Sequence, residues 1–312
     1  MHSTRQALAE RLPDIDVVIE LLDARLPGSS ANPLLAELTR GKPALKLLNK
    51  QDLADPELTP LWLAHYQAQP GTQALPLDAS APAPARQLVA ACRALAPGRG
   101  GMVKPLRVLI CGIPNVGKST LINTLMGQRS AKTGDEPGIT KTEQKLMLAS
   151  DFSLFDTPGM LWPRISVVES GYHLAASGAI GRNAYDDEDV ALALLDRVRP
   201  RYGDRLLARY RLAAFSGLRD EDLLADIGRQ RGGLMSGGRV NLQKAAEIAI
   251  HDFRSGAWGR ITLETPDEFV QWQAKAQAQE AERLARRKQR GQKARPQRDG
   301  PEPVPGAPDG AA

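Results

Sequence analysis

A chain of 312 residues with 42% apolar and 25% charged residues can bury a full core and is long enough for two folded units. No apolar stretch is long enough to span a bilayer, and the Met1-His2-Ser3-Thr4-Arg5 start lacks the apolar core of a signal peptide, so a cytoplasmic location is expected. The net charge of +5 is unevenly placed: 275–298 holds nine Lys/Arg against two Glu, a run that reads either as a solvated helix face or as a surface neutralising RNA phosphates.

Apolar runs alternate with helix-like segments, as in an α/β sheet with crossover helices. A strand over 16–22 ends in Asp23-Ala24-Arg25-Leu26-Pro27. A helix over 33–39 leads to a strand over 44–48, which delivers Asn49-Lys50-Gln51-Asp52 at its carboxyl end, where α/β sheets bind ligands. A helix over 56–67, a short strand over 74–77, the Asp78-Ala79-Ser80-Ala81 segment and a helix ending near 95 follow. The Gly- and Pro-rich stretch 97–105 reads as a surface linker. A strand over 106–111 then opens Gly112-Ile113-Pro114-Asn115-Val116-Gly117-Lys118-Ser119, with a helix over 118–126 behind it. The alternation Phe152-Ser153-Leu154-Phe155 places Asp156 at a strand end. Later, 188–198, 204–210, 221–229 and 242–253 carry helical apolar spacing, and 291–312 is too polar and Pro-rich for a core. The expected organisation is an α/β domain over 1–165, a small all-α domain over 166–265, and a basic helix with a disordered tail over 266–312.

Two glycines, a lysine and a serine at the spacing of 112–119, between a strand and a helix, form a phosphate loop. Gly112 and Gly117 let backbone N–H groups turn toward phosphate oxygens, and the helix N-terminus adds positive potential. Lys118 bridges the β- and γ-phosphates, the Ser119 hydroxyl ligates Mg²⁺, and Asn115, Val116, Gly117 and Thr120 complete the contact set. In Asp156-Thr157-Pro158-Gly159 the carboxylate is placed to hold the metal through water and Gly159 to offer its N–H to the γ-phosphate. Thr140, within Glu136-Pro137-Gly138-Ile139-Thr140, is the preferred second hydroxyl on Mg²⁺, with Thr133 and Thr142 as competitors. Asp52 can accept from both N1–H and the exocyclic amine of guanine; adenine would leave that acceptor unpaired at a cost of about 1–3 kcal/mol. Asn49 supports the loop and the base edge, the Lys50 stem covers the ring, Gln51 lies between them, and the backbone of Ser80 and Ala81 closes the pocket.

Cys92 and Cys111 fit no metal spacing and read as reduced thiols, Cys111 buried. His65, His173 and His251 read as surface or packing residues, and Trp62, Trp162, Trp258 and Trp272 as core or interface anchors. The loop 232–238 lacks the Lys and Ser of a second phosphate loop; it is a helix connector or an RNA-backbone contact.

The base-reading motif precedes the phosphate loop, the reverse of the usual GTPase order, so the domain reads as circularly permuted, with 97–105 joining the former termini. Motif order, the 23–27 element, Asn49-Lys50-Gln51-Asp52, 112–120, Pro137-Gly138-Ile139-Thr140, 156–159 and the later Arg231–Gly238 stretch with Asn241 resemble the circularly permuted ribosome-assembly GTPases over roughly residues 1 to 265. The resemblance implies a P-loop GTPase fold, GTP and GDP as ligands, Mg²⁺ as cofactor, and a precursor of the large ribosomal subunit with its rRNA as partner. Neither a membrane nor DNA is expected as a partner. It also implies a K⁺ ligand at Asn115, whose other reading is a loop-stiffening residue. Met160 and Leu161 follow Gly159 where other GTPases place a water-orienting Gln, so intrinsic hydrolysis is expected to be slow and ribosome-stimulated. The family carries a His just before the position aligned with Met1, and His2 falls two places late. Either the natural start lies upstream or hydrolysis is weak, which leaves a second reading: a GTP-dependent RNA-binding module with little or no hydrolysis.

Overall fold

The computed structural model describes residues 2–81, 84–101, 104–127, 144–214, 219–235 and 237–293. In chain order its elements are α1 (His2–Arg11), β1 (Val17–Asp23), α2 (Pro27–Ser30), α3 (Pro33–Leu38), β2 (Ala44–Asn49), α4 (Leu58–Gln67), β3 (Thr72–Pro76) and α5 (Pro84–Leu95). The second half contributes β4 (Leu106–Gly112), α6 (Lys118–Leu125), β5 (Gln144–Ala149), β6 (Phe152–Asp156), α7 (Val168–Ser177), α8 (Asp187–Tyr210), α9 (Asp220–Gln230), α10 (Leu242–Arg254) and α11 (Pro266–Lys293).

The strands form one sheet in the order β3-β2-β1-β4-β6-β5, parallel throughout except for the β5–β6 pair. All seven residues of β1 are buried, the pattern of a strand with both faces covered. Because β1 pairs β2 on one side and β4 on the other, chain order reverses direction there, and the carboxyl ends of β1, β2 and β4 share one crevice. Register fixes the rim: Asp23 stands opposite Asn49, Leu21 opposite Gly112, and Ile110 opposite Asp156. The α/β fold with permuted motif order thus follows from the sheet topology, and 97–105 links α5 to β4 at the position expected of a joining segment.

The helical half departs from expectation in two places. The segments 188–198 and 204–210 are arms of one helix, α8, bent at Tyr202 (φ −126°, ψ 23°) two residues after Pro200, whose ring cannot donate a backbone hydrogen bond. Helix α11 continues through 291–293, which the sequence assigned to the tail. No helix among the described residues is long and apolar enough to cross a membrane.

One apolar cluster runs without a break from the sheet (Ile19, Leu47, Val108, Leu154) through α7 and α8 (Leu174, Leu195) to α10 and beyond (Phe253, Ile261, Leu263). Trp62 is fully buried and donates from its indole N–H to Glu264 O (2.9 Å), and Trp258 donates to the Tyr210 hydroxyl (2.7 Å). His173 is buried as well, its Nδ1 lying 2.9 Å from Glu264 Oε2 and 3.2 Å from Ser29 Oγ. One ring nitrogen thus faces both partners, which ties α2 and α7 to 261–264. Cys92 and Cys111 are buried free thiols; burial pushes Cys92 up to about 12 and Cys111 upward as well.

Candidate functional site

Four strand ends build the site: Asp23 from β1, Asn49 from β2, Gly112 from β4 and Asp156 from β6. The Asn49 amide donates to Val116 O (2.7 Å) while its oxygen accepts from Ala79 N (2.9 Å), so this side chain fastens the phosphate loop and the 78–81 segment to β2. Lys50 holds a positive φ (61°) and sends Nζ back to Asp23 Oδ2 (2.9 Å) and Asn115 O (3.0 Å). Asp23, 1% exposed, also accepts from Arg25 Nε (3.0 Å) and Nη2 (2.9 Å). Burial alone would raise the Asp23 carboxyl, yet Arg25 and Lys50 hold it well below the carboxylate range.

The phosphate loop has the conformation its glycine requires. Gly117, with φ 101°, caps α6, and a Cβ there would stand 2.3 Å from Asn49 Nδ2, so only glycine lets the loop close onto Asn49. Lys118 and Ser119 open the first turn of α6, and Thr120 follows. The Lys118 ammonium is buried; burial pushes its pKa down against the pull of Asp156. Asp156 is pushed up to about 6 by burial, offset by Lys118 and the Thr157 N–H. Its Oδ1 is buried and meets no hydrogen-bond partner among the described residues. A buried cation, helix-terminal N–H groups and an acceptor with spare capacity suit a polyphosphate with a hydrated divalent cation. The residues present therefore fit Mg²⁺, with Ser119 and Asp156 as candidate holders. Thr133, Thr140 and Thr142 lie outside the described residues.

On the base side, Asp52 and Ser80 are exposed at the mouth of the crevice. Gln51 N donates to Leu77 O (3.2 Å), which joins the two base-side segments. Ser80 N donates to Asp78 Oδ1 (2.9 Å) and Ala81 N to Asp78 O (3.1 Å), so both N–H groups expected to face a base are engaged within their own turn. Thr124 on α6 ties that turn down through Ala79 O (2.7 Å). The Asn115 amide donates to Gly178 O (2.9 Å), just past α7, linking the phosphate loop to the helical region.

Gly159 packs on the phosphate loop so closely that a Cβ would lie 3.0 Å from Pro114 Cα. Met160 N donates to Gly112 O (3.1 Å), and the Met160 side chain is buried beside Leu35, Leu109 and Phe155. Asn32 holds this segment from the other side, donating to Met160 O (3.0 Å) while its oxygen caps α3 by accepting from Leu34 N (3.0 Å). Sequence reasoning missed Asn32; the Asn-Pro pair at the start of α3 was its only signal. Asn32→Ala removes these bonds, with a longer one from Leu35 N (3.4 Å), from a 1% exposed site and should cost about 1–2 kcal/mol. In urea this reads as a lower midpoint at unchanged slope; an unaltered midpoint would refute the double role.

Residues 107–215 match a family signature described as "50S ribosome-binding GTPase". Ribosome biogenesis GTPase A of Bacillus cereus is 40% identical over 279 residues, covering 86% of this chain and 93% of that protein. The protein of the same name from Thermotoga maritima is 27% identical over 270 residues, covering 86% and 94%. Among solved structures, GDP-bound TM YlqF aligns with a TM-score of 0.59 at 24% identity over 84% of this chain and 99% of that one, a likeness of fold.

Proposed function

From the premise that this chain belongs to the ribosome biogenesis GTPase A family and is a GTP-hydrolysing enzyme, we propose that it is an assembly factor of the large ribosomal subunit that binds the precursor and its rRNA according to its nucleotide. GTPases generally use Mg²⁺, which Ser119, Thr140 and, through water, Asp156 would hold here and which would offset phosphate charge, while Lys118 would neutralise the β- and γ-phosphates and the Gly159 N–H would send the state of the γ-phosphate onward. Asp52 selects guanine. Residues 1–165 carry the nucleotide, 166–265 the ribosomal contact, and the basic run from Lys275 adds phosphate contacts on rRNA. The carrying observation is the 2.7 Å bond from Asn49 to Val116 O, which brings base-side and phosphate-side motifs, 67 residues apart, onto one crevice.

The segment after Gly159 supports a nucleotide-dependent affinity, because it leads through Met160 directly into α7 instead of returning to the sheet, and Asn115 touches Gly178 at the far end of that helix. Co-sedimentation with large-subunit precursors should be strong with a non-hydrolysable GTP analogue and weak with GDP; equal binding in both states would refute the switch. Repeating the assay in K⁺ and in Na⁺ tests the cation role of Asn115.

Base selection has its own test. Asp52→Asn replaces an acceptor by a donor, so it opposes the guanine 2-amino group and suits the 2-oxo group of xanthine. GDP affinity should fall on the order of 10- to 100-fold while xanthosine diphosphate gains. Unchanged GDP affinity would remove Asp52 from the base site.

A further inference from the structure

The base-side turn is held from outside the sheet by a segment some two hundred residues later. Residues 50–54 form a short turn closed by Leu53 N to Lys50 O (3.0 Å) and Ala54 N to Gln51 O (3.3 Å). Beyond α10, Arg260 reaches across it, Nη2 donating to Gln51 O (3.0 Å) and Nε to Ala54 O (2.8 Å). Ile261 N donates to Leu53 O (2.8 Å), and the Thr262 hydroxyl accepts from Asp55 N (3.0 Å). The approach is tight: a Cβ on Gly256 would lie 2.6 Å from Leu53 Cδ2. Arg260 is itself braced by Arg205, which donates to its carbonyl.

We propose that Arg260 is a positioning residue for guanine: by bridging the carbonyls on either side of Asp52 it sets the angle at which the Asp52 carboxylate meets the base. A carboxylate reading two donors on one base edge depends on orientation more than a single hydrogen bond does, because rotation of the turn misaligns both contacts together. Arg260 has the geometry for that task. A planar guanidinium can satisfy two carbonyls at once in a fixed fork, whereas an ammonium cannot fix their separation. A mere docking contact between the helical region and the sheet would have no reason to straddle the base-reading residue, and the neighbouring backbone bond from Ile261 already supplies docking.

The inference rests on the reading that Asp52 faces guanine, and calorimetry on the full chain separates the two claims. GDP, ADP and inosine diphosphate, which keeps N1–H but lacks the 2-amino group, are titrated into the unaltered protein, Arg260→Ala, Arg260→Lys and Asp52→Ala, with melting temperatures alongside. Arg260→Ala should weaken GDP roughly tenfold and inosine diphosphate less, shrinking their ratio about threefold, because the second contact is lost only where a second donor exists. Arg260→Lys should lie between, and melting should barely move because Arg260 is exposed. Equal weakening of both nucleotides, or none, overturns the positioning role even if Asp52→Ala abolishes guanine preference. ADP bound by the unaltered protein as tightly as GDP, or GDP affinity untouched in Asp52→Ala, overturns the base-site reading beneath it.

Discussion

Lys118→Ala should lower kcat for GTP hydrolysis roughly a thousandfold while leaving the fold of the nucleotide-free protein intact. The ammonium is 7% exposed, and burial pushes its pKa down against the pull of Asp156, so in the free protein it is held at a desolvation cost. A bound triphosphate supplies negative charge where the ammonium already sits, and the attraction is greatest as charge builds on the oxygen bridging the β- and γ-phosphates. Removing the ammonium therefore costs most in the transition state, less in the GTP complex, and little in the free protein, where Asp156, already pushed up to about 6, can take a proton. Single-turnover hydrolysis, GTP and GDP affinities and the melting temperature read those three states separately. Turnover within threefold of the unaltered protein would exclude Lys118 from the chemistry. A large loss of melting temperature would make it a structural cation instead.

The sequence made the two loops legible because each follows an apolar run and breaks it with residues of special backbone need: Lys50 at φ 61° directly after β2, and Gly117 at φ 101° where the loop after β4 turns into α6. The permutation was legible from motif order alone, and the sheet explains it, since β1 between β2 and β4 lets loops from distant segments meet. Strand β5 was missed because an edge strand needs only half its side chains apolar; Met147 is half exposed there. Helix α7 shows in the sequence only as a helix-like segment around His173, without bounds, because Ser170, Gly171 and Ser177 blur its apolar stripe. Arg260 could not be found from sequence: its partners are backbone carbonyls at 51 and 54, and a carbonyl carries no residue signature. The backbone of Ser80 and Ala81 reads in the sequence as closing the base pocket, whereas in the structure Asp78 takes up both of those N–H groups.

Asp23→Ala should destabilise the protein by about 3–5 kcal/mol near neutral pH, because a fully buried Arg25 and a partly buried Lys50 share that carboxylate. Arg25, 2% exposed, loses three bonds to it: those from Nε and Nη2 and a backbone one from its own N (3.1 Å). What remains for Arg25 is the carbonyl of Phe253 (3.0 Å), that of Arg254 (3.3 Å) and the Phe253 ring 4.6 Å beneath the guanidinium, which cannot neutralise its charge. Among the described residues Lys50 keeps Asn115 O as its hydrogen-bond acceptor, so the tie between base loop and phosphate loop slackens and nucleotide affinity should fall with stability. The sign with pH follows from the direction of the shift. Since the folded carboxyl lies below its ordinary value of 3.8, its contribution is complete above that pH and is lost as pH drops beneath it. The gap between the unaltered protein and Asp23→Ala in urea midpoint should accordingly be constant from pH 6 to 8 and begin to narrow only below about pH 4. A gap that narrows already between pH 7 and 5 would mean that a different group titrates there and that Arg25 and Lys50 do not hold Asp23 as the geometry requires.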